Sequence, residues 1–358
     1  MDHKVDPGFA WTRQQLASNR RWILDIGESE GQGMVQAIRR VWDPDRPLFD
    51  YRTEEFDLGP GLSVIDTALD EVKEGLGVAL VRGLPRAGLS QSEFELLTWA
   101  IGLQRGVARP QGKASQYISA VRDVGTAYRT GTGRGYSSNA ELDYHTDSSD
   151  IVFLSCYNRA VSGGMTLVSS SHAAYQVMAR EHPGLLDALH EPIAFSRQGE
   201  QAPDEGPFVM QPVFDHCEGR LFSRWNWNRI TTAQRIEGAP RIGPDRMRAL
   251  EIFDQIVRRP DLAFSMWLQP GDIQIINSHT TLHSRTAFVD DADPAKQRLL
   301  YRLWLAPKDS LRLPDSWGDW FRSIEPGTVR GGIRGQAYDQ RCQDFERRQA
   351  DHLGMRLQ

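Results

Sequence analysis

The sequence predicts an α+β protein built on a β-sandwich or barrel, and three observations carry that prediction. Up to Ile101, apolar residues recur mostly at helical spacing. From Ser115 onward the pattern changes to short apolar runs separated by glycine, proline and small polar residues, which reads as strands joined by turns. Within the helical region, Gly75-Leu76-Gly77-Val78-Ala79-Leu80-Val81-Arg82-Gly83 is a nearly continuous apolar run bracketed by glycines, as a strand buried on both faces would be.

Taken in order, residues 8–43 read as helical, with Trp11, Leu16, Trp22, Ile23, Ile26, Met34, Ile38, Val41 and Trp42 spaced for an amphipathic face. Pro44 to Pro60 is turn-rich. Residues 1–60 are thus set apart as an N-terminal helical extension packed on a core domain of residues 61–358. Residues 64–73 are helical again, and Ser90-Gln91-Ser92-Glu93 is a capping box that opens a helix through Ile101. A strand over 117–121 leads into a Gly/Thr/Ser-rich loop, residues 125–139, which reads equally as a mobile lid and as plain surface. Residues 151–157 and 166–168 are strands flanking a Gly163-Gly164 turn, and Ser171 stands where it could cap a helix over 173–180. Residues 208–214 and 220–225 suggest a hairpin around Asp215-His216-Cys217-Glu218-Gly219. After a helix over 246–257, four strands are expected at 263–268, 272–276, 283–289 and 299–305.

Composition excludes several classes of function. A net charge of -5 lacks the basic excess of a nucleic-acid binder. No run approaches the ~18 apolar residues of a membrane span, and Met1-Asp2-His3-Lys4-Val5-Asp6 lacks a signal peptide's apolar core. Cys156, Cys217 and Cys342 are odd in number and far apart, which suits a reducing compartment and predicts a cytoplasmic location.

The chemistry gathers in two places. In Glu141-Leu142-Asp143-Tyr144-His145-Thr146-Asp147, His145 and Asp147 stand two apart, and on an extended segment such side chains share a face. An imidazole and a carboxylate are two-thirds of the 2-His-1-carboxylate triad that holds non-haem Fe(II) with open coordination positions. The C-terminal block offers the third ligand, after Gly271-Asp272 turns into a strand. His279 and His283 have the same parity, but Asn277-Ser278-His279 reads as the turn between strands, which favours His283. A closed structural zinc site would need a fourth ligand, usually sulfur, and no cysteine stands at ligand spacing beside either half.

Arg298 and Arg302 share a face of the final strand, roughly 13 Å apart at ~3.3 Å per residue, while Leu299, Tyr301 and Leu303 point the other way. A buried unpaired charge costs several kcal/mol, so two inward guanidiniums require anionic partners. Their planar forks suit a dicarboxylate cosubstrate and a carboxylate-bearing substrate. The alternative is an outward ion pair with Asp290, Asp291 or Asp293. Asn226, Asn228 and Arg229, interleaved with Trp225 and Trp227, could line a pocket, although alternating aromatics suit a core better.

His145-Thr146-Asp147, Gly163-Gly164-Met165-Thr166, Gly271-Asp272, Leu282-His283-Ser284-Arg285-Thr286 and Arg298-x-x-x-Arg302 together resemble, in order and spacing, the taurine dioxygenase/TfdA and clavaminate synthase-like superfamily of Fe(II)/2-oxoglutarate-dependent oxygenases. The resemblance runs from about residue 78 to 332. It implies a double-stranded β-helix (jelly-roll) core with flanking helices, and Fe(II) bound by His145, Asp147 and His283. It also implies that 2-oxoglutarate chelates the metal while its distal carboxylate meets Arg298 and the Thr166 hydroxyl. Arg302 and the segment around Asn139 would face the substrate. Met165 departs from the family, which commonly has an acidic residue there, and residues 1–60 and the tail beyond Gly335 exceed its shorter members.

The expected activity is therefore oxidation of a C–H bond in a small, carboxylate-bearing molecule such as an amino acid, using Fe(II), 2-oxoglutarate and O2. Hydroxylation is the default, and desaturation or cyclisation is open to the same ligand set. Halogenation is disfavoured, because it needs a free coordination position where Asp147 stands. Neither nucleic acid nor membrane is an expected partner, and the choice between monomer and homo-oligomer is open. Two rivals stand beside this reading: a 2-His-1-carboxylate dioxygenase that does not use 2-oxoglutarate, and a non-catalytic jelly-roll binding protein.

Overall fold

The computed structural model describes residues 6, 8–128 and 135–357. The loop expected over 125–139 therefore lies partly outside the described residues, with Gly131 and Gly133 among those outside.

The long helix expected over 8–43 is broken into α1 (Arg13–Ser18), β1 (Ile23–Asp25) and α2 (Glu28–Val41). The cause is tertiary. β1 pairs in parallel with β2 (Val78–Arg82), Ile23 lying opposite Leu80 and Asp25 opposite Arg82. Helical preferences are worth only tenths of a kcal/mol per residue, so a strand partner at the sheet edge outweighs them. The indoles of Trp11 and Trp22 are fixed nearby by hydrogen bonds to the carbonyls of Leu76 and Leu16.

α3 (Gly61–Glu74) and α4 (Gln91–Leu103) form close to where the sequence places them. The capping box is realised: the Ser90 hydroxyl accepts from Glu93 N–H, and the Glu93 carboxylate accepts from Ser90 N–H at 2.7 Å. The chain then forms β3 (Gly106–Ala108), β4 (Ile118–Val121), β5 (Ile151–Asn158), β6 (Ser162–Gly163) and β7 (Thr166–Ser170). Helices α5 (Ser171–Glu181) and α6 (Pro183–Leu186) follow, with strands β8 (Ile193–Ser196), β9 (Phe208–Gln211), β10 (Phe214–Cys217) and β11 (Arg220–Ser223). Beyond them lie α7 (Trp227–Ala233), α8 (Pro244–Val257), β12 (Phe264–Met266), β13 (Ile273–Asn277), β14 (Thr281–Arg285), β15 (Phe288–Val289) and β16 (Leu299–Pro307). The chain closes with α9 (Gly318–Phe321) and α10 (Gln340–Leu353).

Two local expectations are corrected. Ser170, not Ser171, caps α5, accepting from Ala173 N–H at 2.9 Å, because the Ser171 hydroxyl is engaged with the Thr280 carbonyl. The hairpin pairs β10 with β11 about Glu218-Gly219, both at positive φ as a two-residue primed turn requires, while β9 pairs with β8 instead.

The large mixed sheet runs β1-β2-β13-β5-β16-β3, with β4 also on β16, and a smaller sheet runs β12-β7-β14. Strand alternation sorts the side chains into two layers. Ala79, Val81, Phe153, Ile273, Ile275, Leu299, Tyr301 and Leu303 pack with residues of α2, α3, α4 and α10 in one cluster. Val78, Leu80, Val152, Leu154, Ile276, Leu300 and Trp304 meet Val168, Phe264 and Met266 of the small sheet in another. Burying each such side chain is worth about 1.5–3 kcal/mol. This β-rich core, with helices against the outer face of the large sheet, turns the inner faces of both sheets toward each other. The three cysteines are buried and free.

Candidate active site

His145 lies outside the named strands, yet its backbone pairs directly with β14. His145 N–H donates to the His283 carbonyl at 3.0 Å, and His283 N–H returns the bond at 2.9 Å. This exchange brings the two imidazole centroids to 4.2 Å. Thr146 N–H donates to the Trp225 carbonyl, so the segment stays extended and Asp147 returns to the same face. Asp147 Oδ1 is 4.0 Å from His145 Nε2, and Asp147 Oδ2 is 3.7 Å from His283 Nε2. One ligand atom from each of the three residues lies within 4.8 Å of the others.

His279, the competing histidine, is elsewhere. Its Nε2 meets Asp150 Oδ1 at 2.9 Å, and Asp150 also takes two bonds from Arg330, at 3.1 and 2.6 Å. It belongs to a buried ion-pair cluster.

The protonation states suit a metal. Burial lowers the pKa of His145 and takes that of His283 down to about 3, so both imidazoles are neutral, the ligating form. His145 Nδ1–H donates to the Asp143 carbonyl at 2.8 Å, which fixes the tautomer and leaves Nε2 with its lone pair free. His283 Nδ1 is buried and has no hydrogen-bond partner among the described residues, so a ligand at Nε2 would fix its tautomer. Burial alone would raise the Asp147 carboxyl, but Arg302, His283, His145 and the Trp304 indole N–H, at 3.0 Å, hold it at about 2. Two neutral nitrogens and one anionic oxygen fit Fe(II).

These residues open onto a pocket of about 940 Å³, counting space continuous with solvent, whose lining includes His145, Asp147, Thr166, His283, Arg298 and Arg302. Arg298 does not turn outward to the acidic loop. Only its backbone N–H meets the Asp290 carboxylate, at 2.7 Å, while its buried guanidinium lies 3.5 Å from the Val121 carbonyl. Burial lowers it to about 10. The Gly163-Gly164 turn makes the room: Gly164 has φ +73, and a Cβ there would stand 3.3 Å from Arg298 Nε. The Thr166 hydroxyl donates to Gln274 Oε1 at 3.1 Å. Arg302 donates through Nε to Gln111 at 2.8 Å, and its NH1 lies 3.5 Å from Asp147.

The segment flanking Asn139 contributes Gly135, Tyr136 and Leu142 to the pocket. Asn226, Asn228 and Arg229 line it too, whereas Trp225 is core, edge-on to Phe253 at 4.9 Å. Sequence reasoning gave no role to Trp304, Gln111 or Arg285. Trp304 was legible, since it shares parity with Arg302. Gln111 was not, because only tertiary folding brings it to Arg302.

A buried cluster of two imidazoles and one carboxylate, opening onto an arginine-lined pocket in a β-rich fold, defines the class: a mononuclear non-haem iron oxygenase. The profile of the taurine catabolism dioxygenase TauD, TfdA family matches residues 44–304, and the chain belongs to that family. It is an Fe(II)/2-oxoglutarate-dependent dioxygenase, an oxidoreductase that uses Fe(II), 2-oxoglutarate and O2. That sets aside both the oxoacid-independent dioxygenase and the non-catalytic binding protein.

Among curated proteins it is similar to FR-33289 synthase of Streptomyces rubellomurinus, 28% identical over 320 residues that cover 86% of this chain and 93% of that protein. It is also similar to the taurine hydroxylase-like protein SAT17 of Stachybotrys chartarum, 26% identical over 331 residues, covering 87% and 82%. Among solved structures, asparagine oxygenase in complex with Fe(II), 3-hydroxyasparagine and succinate aligns with a TM-score of 0.60 at 18% identity, over 83% of this chain and 98% of that one. The non-heme iron oxygenase OrfP with Fe and alpha-ketoglutaric acid aligns with a TM-score of 0.55 at 15% identity, over 79% and 94%. These two establish a shared architecture. Among the described residues, no helix is long and apolar enough to cross a membrane.

Proposed function

We propose that this dioxygenase oxidises a C–H bond of a small, carboxylate-bearing molecule such as an amino acid, with His145, Asp147 and His283 as the iron ligands. The observation that carries the reading is the convergence of this triad with Arg298, Thr166 and Arg302 on one pocket. Bound iron, with 2-oxoglutarate and O2, supplies the oxidising power, and the chain's own residues bind and orient. Arg298 and the Thr166 hydroxyl hold the distal carboxylate of 2-oxoglutarate. Arg302, whose buried NH2 has no hydrogen-bond partner among the described residues, faces the acid group of the substrate. An amino acid is favoured because asparagine oxygenase and OrfP, similar in fold, are named with hydroxyasparagine and hydroxyarginine. We read the two facing sheets as a jelly roll built mainly from residues 61–358, to whose large sheet residues 1–60 add the edge strand β1. The test is a screen of amino acids and other small carboxylates for stimulated succinate formation. Stimulation by at least one acid, lost in the Arg302→Ala variant, is expected; stimulation only by uncharged compounds would defeat the assignment.

A further inference from the structure

We propose that Arg285 is a second guanidinium for the distal carboxylate of 2-oxoglutarate, acting beside Arg298; this rests on the placement of that carboxylate at Arg298 given above. Arg285 is two residues beyond His283 on β14, so both side chains leave the same face of the strand. Its register partner across the small sheet is Thr166. The side chain is buried, 4% exposed, and lines the same pocket. One terminal nitrogen donates to the carbonyls of Ser138 and Ala140, at 2.8 and 2.5 Å, whereas Nε and NH1 have no hydrogen-bond partner among the described residues.

Neither Arg285 nor Arg298 has a carboxylate within salt-bridge distance among the described residues, and both guanidiniums lie against one ring, Phe288, at 4.7 and 5.1 Å from its centroid. Two like charges in one apolar corner, each with unused donors, are costly when empty. A single carboxylate offers about four acceptor positions, enough to serve both. Arg302 is ruled out as its partner in this corner, since it reaches toward Asp147, Gln111 and Tyr136. The corner of Arg285, Arg298, Thr166 and Gly164 therefore meets the cosubstrate's tail.

The experiment measures anaerobic binding of two oxoacids to the Fe(II)-loaded full chain by calorimetry: 2-oxoglutarate, and 2-oxopentanoate, which lacks the distal carboxylate. Losing a charge-assisted contact should cost Arg285→Gln about tenfold or more in 2-oxoglutarate affinity and leave 2-oxopentanoate affinity unchanged. Arg285→Lys should recover part of the loss. With Arg298→Gln added, the combined loss should differ from the product of the single losses, because both groups serve one anion. Equal weakening of both oxoacids would show that Arg285 merely braces the Ser138 and Ala140 carbonyls, and would overturn the proposal. So would unchanged 2-oxoglutarate binding in Arg285→Gln. Should Arg298→Gln also bind 2-oxoglutarate normally, the placement at Arg298 falls with it; if Arg298→Gln alone binds weakly, only the role of Arg285 fails.

Discussion

His145 and His283 meet because their backbones exchange two hydrogen bonds, and at the scale of single residues that pairing decides where a metal can sit. Replacing His145, Asp147 or His283 by Ala should abolish stoichiometric Fe(II) binding, measured by equilibrium dialysis, while the far-UV spectrum stays native. His279→Ala should keep its iron. It strips Asp150 of one charge-assisted partner, so denaturant melts should show a loss of about 1–3 kcal/mol of stability instead. Iron lost in His279→Ala but kept in His283→Ala would reverse the ligand assignment. Arg298→Ala should raise the KM for 2-oxoglutarate roughly ten- to more than a hundredfold, the equivalent of ~1.5–3 kcal/mol. Lys at that position should rescue only in part, because it offers a point charge instead of a fork. Saturation curves for cosubstrate and substrate on the Arg298 and Arg302 variants separate the two roles, and loss of 2-oxoglutarate affinity alone in both would leave the substrate's acid without a partner.

Elements do the aiming. β16 sends Leu299, Tyr301 and Leu303 into the helix-covered core, so Arg298, Leu300, Arg302 and Trp304 must face the pocket layer. That alternation was legible in the sequence, because its period is two and apolar and cationic residues occupy opposite phases. The Gly163-Gly164 turn was legible only as a turn. Its further consequence, space for Arg298, depends on a positive φ and on a neighbour from β16. Gly164→Ala should therefore behave as a mild Arg298 variant, raising the KM for 2-oxoglutarate several-fold. Stability should also fall, by about 1 kcal/mol or more, since alanine is strained at that φ. An unchanged KM in a folded Gly164→Ala protein would show that the turn does not position Arg298. β1 was not legible, for the opposite reason: its residues carry a helical pattern, and only β2, distant in sequence, makes them a strand.

Across the whole molecule, the ordered motifs disclosed the class and the pocket, while the network around them stayed hidden. Arg330 reaches Asp150 from far along the chain, and Gln111 reaches Arg302 likewise. No local pattern records such pairings. Buried neutral histidines also set the acid sensitivity. Burial holds His172 at about 4, well below the ordinary value of 6.5. As pH falls from 6.5 to 4, the unfolded chain binds a proton that folded His172 refuses, so stability drops through that window. The most His172 can contribute is roughly 3 kcal/mol. Urea melts of metal-free protein at pH 7 and pH 5 should show this drop, and it should shrink in His172→Gln; an equal drop in both proteins would remove His172 as a cause.

The most direct test of the central reading is a turnover under isotopically labelled dioxygen with a stimulating amino acid or small carboxylate. One labelled oxygen atom should appear in succinate for each 2-oxoglutarate consumed, and none should appear with the Asp147→Ala protein. Substrate oxidation that proceeds without 2-oxoglutarate, or labelled succinate formed as well by Asp147→Ala as by the native chain, would contradict it.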